Sequence, residues 1–77
     1  MNIEVFAVLK TYFDKKFQIE DEVTTICDLR RKLANINPAA ISYLAICRFA
    51  VNEIFVEDDF EIRPGSMVFV LPPSSGG

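Results

Sequence analysis

Apolar residues recur along the chain with two different periods. Ile3, Val5, Ala7 and Leu9 alternate with Glu4, Phe6 and Val8, the two-residue period of a strand. Both faces of this stretch are largely apolar, which predicts a strand inside a sheet rather than at its edge. Lys15 to Glu20 predicts a second strand, with Phe17 and Ile19 on one face. Thr11 to Asp14 then becomes the turn of a hairpin. Beyond it the period changes. Ile26, Leu29, Leu33 and Ile36 fall on one helical stripe, and Thr25 with Asp28 fits a capping box at its start. Arg30, Arg31 and Lys32 are expected as a solvated face toward the C-terminal half, where the helix dipole favours cations. Asn37 and Pro38 end this helix and start a short second one over Ala39 to Leu44.

Three short strands are predicted after the helices. Arg48 to Val51 and Ile54 to Val56 flank Asn52-Glu53, a tight hairpin turn. Arg63-Pro64-Gly65-Ser66 fits a type II turn that launches Met67 to Leu71, a run apolar at every position. The first and last strands therefore both belong at the sheet centre. A parallel pair between them, with the main helix across one face, meets both demands. That arrangement is an α+β fold, the β-grasp or ubiquitin-like fold. It is a mixed sheet with one main helix packed on one face and a short second helix. With Val5, Ala7, Val68 and Val70 toward the helix, Phe6, Val8, Met67, Phe69 and Leu71 form the opposite face. No second helical layer covers them, so this face is expected to dock a partner.

Composition narrows the function. Of 77 residues, 51% are hydrophobic and seven are Phe, which suits one small packed domain and argues against disorder. A net charge of −3 gives no general attraction to nucleic acid or to an anionic membrane. Glu20-Asp21-Glu22 and Glu57-Asp58-Asp59 read as acidic loops. No apolar run suffices to span a membrane, and Met1-Asn2-Ile3-Glu4 does not resemble a signal peptide. A cytoplasmic protein is expected. Cys27 and Cys47 lack CxxC spacing and histidine is absent, so no metal site is expected. Both thiols read as small core hydrophobes in a reducing compartment. Without histidine there is no Ser-His-Asp or Cys-His device. Asp58 and Asp59 are adjacent and point apart, so they make a poor acid–base pair. The isolated chain is not expected to be an enzyme.

One reactive group remains, the α-carboxylate of Gly77. Residues 1–71 read as the domain and residues 72–77 as a flexible tail, Pro72-Pro73-Ser74-Ser75-Gly76-Gly77. The prolines favour a stiff, extended exit. Gly76 and Gly77 remove every Cβ from the tip, so the backbone can thread a narrow channel. Extended, six residues reach roughly 20 Å. This suits a carboxylate delivered into another protein's active site.

The tail completes a resemblance that runs over the whole length. Phe6-Ala7, Ala50-Val51-Asn52, Pro64-Gly65 and Leu71-Pro72-Pro73-Ser74-Ser75-Gly76-Gly77 together resemble the small subunits of molybdopterin synthase, the sulfur carriers of molybdenum-cofactor synthesis. The thiamine sulfur carriers are usually shorter and lack the double proline. Ubiquitin ends in Gly-Gly with a basic approach. The resemblance implies that a ubiquitin-activator-like adenylating enzyme uses ATP and magnesium to convert the Gly77 carboxylate to an acyl-adenylate. A sulfur donor protein then leaves a C-terminal thiocarboxylate. It implies no stably bound cofactor. It also implies a large synthase subunit as partner, in a heterotetramer, receiving the loaded tail. By the same resemblance Phe6, Phe55 and Leu71 are contact positions, with Met67 and Phe69 beside them on the apolar face. Lys10 stands where the family commonly carries Arg, and a lysine cannot form the planar fork of a guanidinium with a carboxylate. Carriers for thiamine or tRNA thiolation, a ubiquitin-like protein modifier, and a plain interaction domain remain open alternatives.

Overall fold

The computed structural model describes residues 1–20 and 22–73. Its sheet holds five strands in the order β2-β1-β5-β3-β4. These are β1 (Asn2–Val5), β2 (Lys16–Gln18), β3 (Arg48–Val51), β4 (Ile54–Val56) and β5 (Met67–Leu71). β1 and β5 run parallel at the centre, Ile3 opposite Val68 and Val5 opposite Val70. The other pairs are antiparallel. This is the expected β-grasp architecture, with α1 (Ile26–Ile36) on one face and a short α2 (Ile41–Leu44) beside it.

The main helix starts as predicted. Thr25 Oγ1 accepts from the Asp28 N–H at 3.2 Å, and Asp28 Oδ2 accepts from the Thr25 N–H at 3.3 Å. Each side chain satisfies a donor that the first helical turn leaves free. Ile26, Leu29 and Leu33 are fully buried against Ile3, Val5, Phe49, Val68 and Val70. Asn37 then caps the next turn, accepting from the Ala39 N–H at 3.1 Å while its Nδ2 donates to the Tyr12 carbonyl at 2.9 Å. That turn is a 3₁₀ segment, Pro38–Ala40, and α2 follows it.

The late strands stand where the pattern put them. Asn52 and Glu53 both take positive φ, 50° and 72°, as a two-residue type I′ turn requires. Gly65 has φ +83°, and the Ser66 N–H donates to the Arg63 carbonyl at 3.1 Å, closing the turn before β5.

Several expectations are corrected. β1 ends at Val5, not at Leu9. The Phe6 N–H still reaches the Val70 carbonyl at 3.2 Å, but Ala7 then turns to φ 56° and a 3₁₀ helix runs from Ala7 to Thr11. That turn rolls Leu9 into the core, while Ala7 is exposed and does not face the helix. Burial at Leu9 imitates the alternation of a longer strand. β2 is shorter than Lys15 to Glu20 and covers Lys16–Gln18, although the Val5 N–H still donates to the Lys15 carbonyl at 2.9 Å and the Ile19 N–H to the Met1 carbonyl at 3.0 Å. Ile36 leaves the stripe: it is 49% exposed and borders a surface hollow with Tyr12, Phe13 and Phe17.

These positions predict different costs on the same helix. Leu33→Ala should lose about 2–5 kcal/mol in urea unfolding, as a buried truncation does, and Ile36→Ala less than about 1 kcal/mol. Equal losses would contradict the assigned burial.

Candidate docking face and tail exit

Alternation along β5 divides its side chains. Val68 and Val70 are buried under the helix, so Met67, Phe69 and Leu71 lie on the outer face, each half-buried. The register builds rows across that face. Phe69 stands between Glu4 on β1 and Ala50 on β3, and Ala50 stands opposite Phe55 on β4. Phe6, just past β1, sets its ring edge-on to Phe69 with centroids 5.4 Å apart. Phe55 is 53% exposed, and the guanidinium of Arg48 stacks on its ring at 4.0 Å. Phe6, Phe69, Leu71 and Phe55 are thus gathered on one face that no other described element covers. Met67 marks the start of the same strand. Val8 is carried into the 3₁₀ helix and lies outside the rows. Lys10 is exposed in the last turn of that helix and forms no salt bridge among the described residues.

β5 also sets where the chain leaves the sheet. Leu71 is its last residue, Pro72 is half-buried beside it, and Pro73 is exposed. Ser74, Ser75, Gly76 and Gly77, the other tail residues singled out in the sequence, lie outside the described residues.

Arg30 is the residue that the charge pattern misread. It is no solvated cation. Its guanidinium donates to the carbonyls of Leu44 and Cys47, pairs with Asp58 at 2.7 Å, and lies 4.9 Å from the Phe49 ring centroid. It ties α1 to the α2–β3 connection and to the 57–59 segment. The ion pair itself is half in water, so it contributes roughly 0–1 kcal/mol, and the carbonyl bonds matter more. The signal was present: Arg30 is the i+4 position of a stripe that also holds Ile26, Leu29 and Leu33. Among the described residues no group of carboxylates and thiols could hold a metal, and no helix is long and apolar enough to cross a membrane.

The thiols differ from one another. Cys27 is half-buried, with Arg31 Nη2 at 3.4 Å from its Sγ, so it is only partly a core residue. Cys47 is buried and donates to the Leu44 carbonyl at 3.2 Å. Burial pushes its thiol up from 9.0 to about 11, against the opposing pull of Arg30. The folded protein therefore keeps this proton after the unfolded chain has lost it. The resulting stability is whole below pH 9.0 and is lost as pH rises toward about 11. Urea unfolding across that window should show a decline in stability that is shallower in Cys47→Ala than in the parent. Parallel declines would refute the assignment.

No curated protein matches the chain. Solved structures share its fold. One is a complex of subunits 1 and 2 of molybdopterin-converting factor from Helicobacter pylori, with TM-score 0.70 and 21% identity over 99% of this chain and 96% of that one. SAMP1 from Haloferax volcanii gives TM-score 0.78 and 17% identity over 99% and 97%. A putative molybdopterin converting factor subunit 1 from Pyrococcus furiosus gives 0.74 and 22% over 94% of each chain. At these identities the structures establish the β-grasp fold. The model of the ThiS family matches residues 3–77, nearly the entire sequence, and the chain belongs to that family.

Proposed function

We propose that the chain is a sulfur-carrier protein, the small subunit of molybdopterin synthase. The observation that carries this reading is the double use of β5. One strand at the sheet centre presents Phe69 and Leu71 on an uncovered apolar face and leads directly through Pro72 and Pro73 toward Gly76-Gly77. Docking and delivery then share one rigid support. Family membership and the converting-factor subunits among the structural relatives support it.

The chemistry belongs to the Gly77 carboxylate. A carboxylate oxygen is a very poor leaving group, so the activating enzyme, a relative of the ubiquitin activators, first transfers AMP to it from ATP and releases pyrophosphate. Sulfide supplied by a donor then attacks the acyl carbon, a C–S bond forms as the C–O bond to AMP breaks, and the thiocarboxylate remains. The large subunit takes in the slim tail, and the sulfur passes to a cyclic pyranopterin monophosphate to build a dithiolene. Two sulfurs need two loadings, so the carrier dissociates and rebinds in the cytoplasm. The H. pylori relative is itself a complex of subunits 1 and 2, which favours a large-subunit partner here.

Incubation with the activating enzyme, ATP, magnesium and sulfide should raise the intact mass by one oxygen-for-sulfur exchange at Gly77. One residue appended after Gly77 should abolish that gain. Failure of the native chain to gain mass would sink the reading, and isopeptide-linked Gly77 on other proteins would point to a modifier instead. Phe69→Asp should leave the fold intact and weaken binding to the large subunit at least about tenfold in calorimetry, as loss of a central apolar anchor does.

A further inference from the structure

On the docking face Arg48 forms no salt bridge among the described residues, although Glu57 and Asp58 line the same surface hollow. Arg48 opens β3, and alternation puts it with Ala50 on the outer face, opposite the buried Phe49 and Val51. It stands in register with Leu71, beside the point where Pro72 leaves the sheet. Its guanidinium rests on the exposed Phe55 ring. Stacking covers one flat side and leaves the N–H edge available. Among the described residues the Arg48 side chain forms no salt bridge and no hydrogen bond. Arg30, the other arginine set over an aromatic ring, is by contrast engaged with Asp58 and two carbonyls.

A partner that buries Phe69 and Leu71 must also strip water from Arg48. Covering an unpaired guanidinium with apolar surface is unfavourable, and a carboxylate opposite the fork reverses the sign. The stack on Phe55 holds the fork in place beforehand, so little freedom is lost on pairing. A phosphate would also match the fork. Arg48 stands in register with Leu71, however, six residues of sequence before the Gly77 carboxylate at which a small substrate would react. A protein carboxylate is the occupant that this position fits.

We infer that Arg48 is a specificity-determining contact, and that the docking partner presents an Asp or Glu against it next to an apolar contact on Phe69 and Leu71. This rests on the carrier reading above and names the chemistry of its partner surface.

The test uses the full chain and the synthase large subunit from the same source, titrated at about 0.05 M and about 0.5 M salt. Arg48→Gln should weaken binding about tenfold at low salt, with the gap narrowing to about twofold at high salt. Arg48→Lys should recover only part, because the charge returns without the fork. Arg48→Glu should bind still more weakly, and an acid-to-arginine change on the large subunit should restore it. Arg48 is exposed, so urea midpoints of these variants should match the parent. Binding of Arg48→Gln equal to the parent at both salts overturns the inference, and so does a loss that is the same at both salts and is not rescued. Absence of binding by the parent chain is a separate result: it removes the large subunit as partner and takes this inference with it.

Discussion

The parallel pairing of β1 with β5 constrains everything else in this fold. A parallel pair cannot be joined by a tight turn, so the chain between Val5 and Met67 must cross over and return. It uses that length to lay α1 across one face, where Ile26, Leu29 and Leu33 close over Ile3, Val5, Val68 and Val70. A chain this short has no second layer to spare. The opposite face is left to Phe69, Leu71 and their neighbours. The same constraint that builds the core therefore also builds an uncovered apolar surface, and puts the end of the central strand beside it.

Much of this was legible in the sequence. β3, β4 and β5 begin and end where the pattern set them, because each is a short β-rich run bounded by its own turn residues, Asn52-Glu53 or Pro64-Gly65. The capping box at Thr25 and Asp28 is equally local and equally readable. β1 stops short of the apolar alternation, because periodicity records burial and not backbone shape. Leu9 is buried in phase with Ile3 and Val5, yet it gets there through a 3₁₀ turn entered at Ala7. The gathering of Phe6, Phe69 and Leu71 followed from the parallel pairing. Phe55 joined them only through the resemblance, because its place depends on a register set two strands away.

The two arginines show what a charge pattern leaves out. Arg30 and Arg48 both stack on phenylalanine, and only one looks inward. Arg30 lies where the apolar stripe would place a leucine, so its long stem is packed and its head must find acceptors. The Leu44 and Cys47 carbonyls supply them at the α2–β3 connection. A nearby cation also acts on the buried Cys47 thiol, but desolvation outweighs it. Neither relation is visible without knowing that Cys47 follows a helix end that packs against α1.

The uncovered face must satisfy two opposed demands if the chain is a carrier. It has to hold an activating enzyme and then a synthase firmly enough for chemistry, and yet release each. A larger or fully exposed apolar face would meet the first demand and fail the second, and would invite self-association. Here the aromatic anchors are half-buried by one another, Phe6 edge-on to Phe69 and Phe55 under Arg48. Each therefore exposes only part of its ring to a partner. Polar residues frame them in register, Lys16 and Glu4 on one side and Arg48 on the other. Such a rim selects partners and speeds encounter more than it adds affinity. Moderate apolar area with a charged frame is what a surface needs when it must be recognised by two proteins in turn and kept by neither.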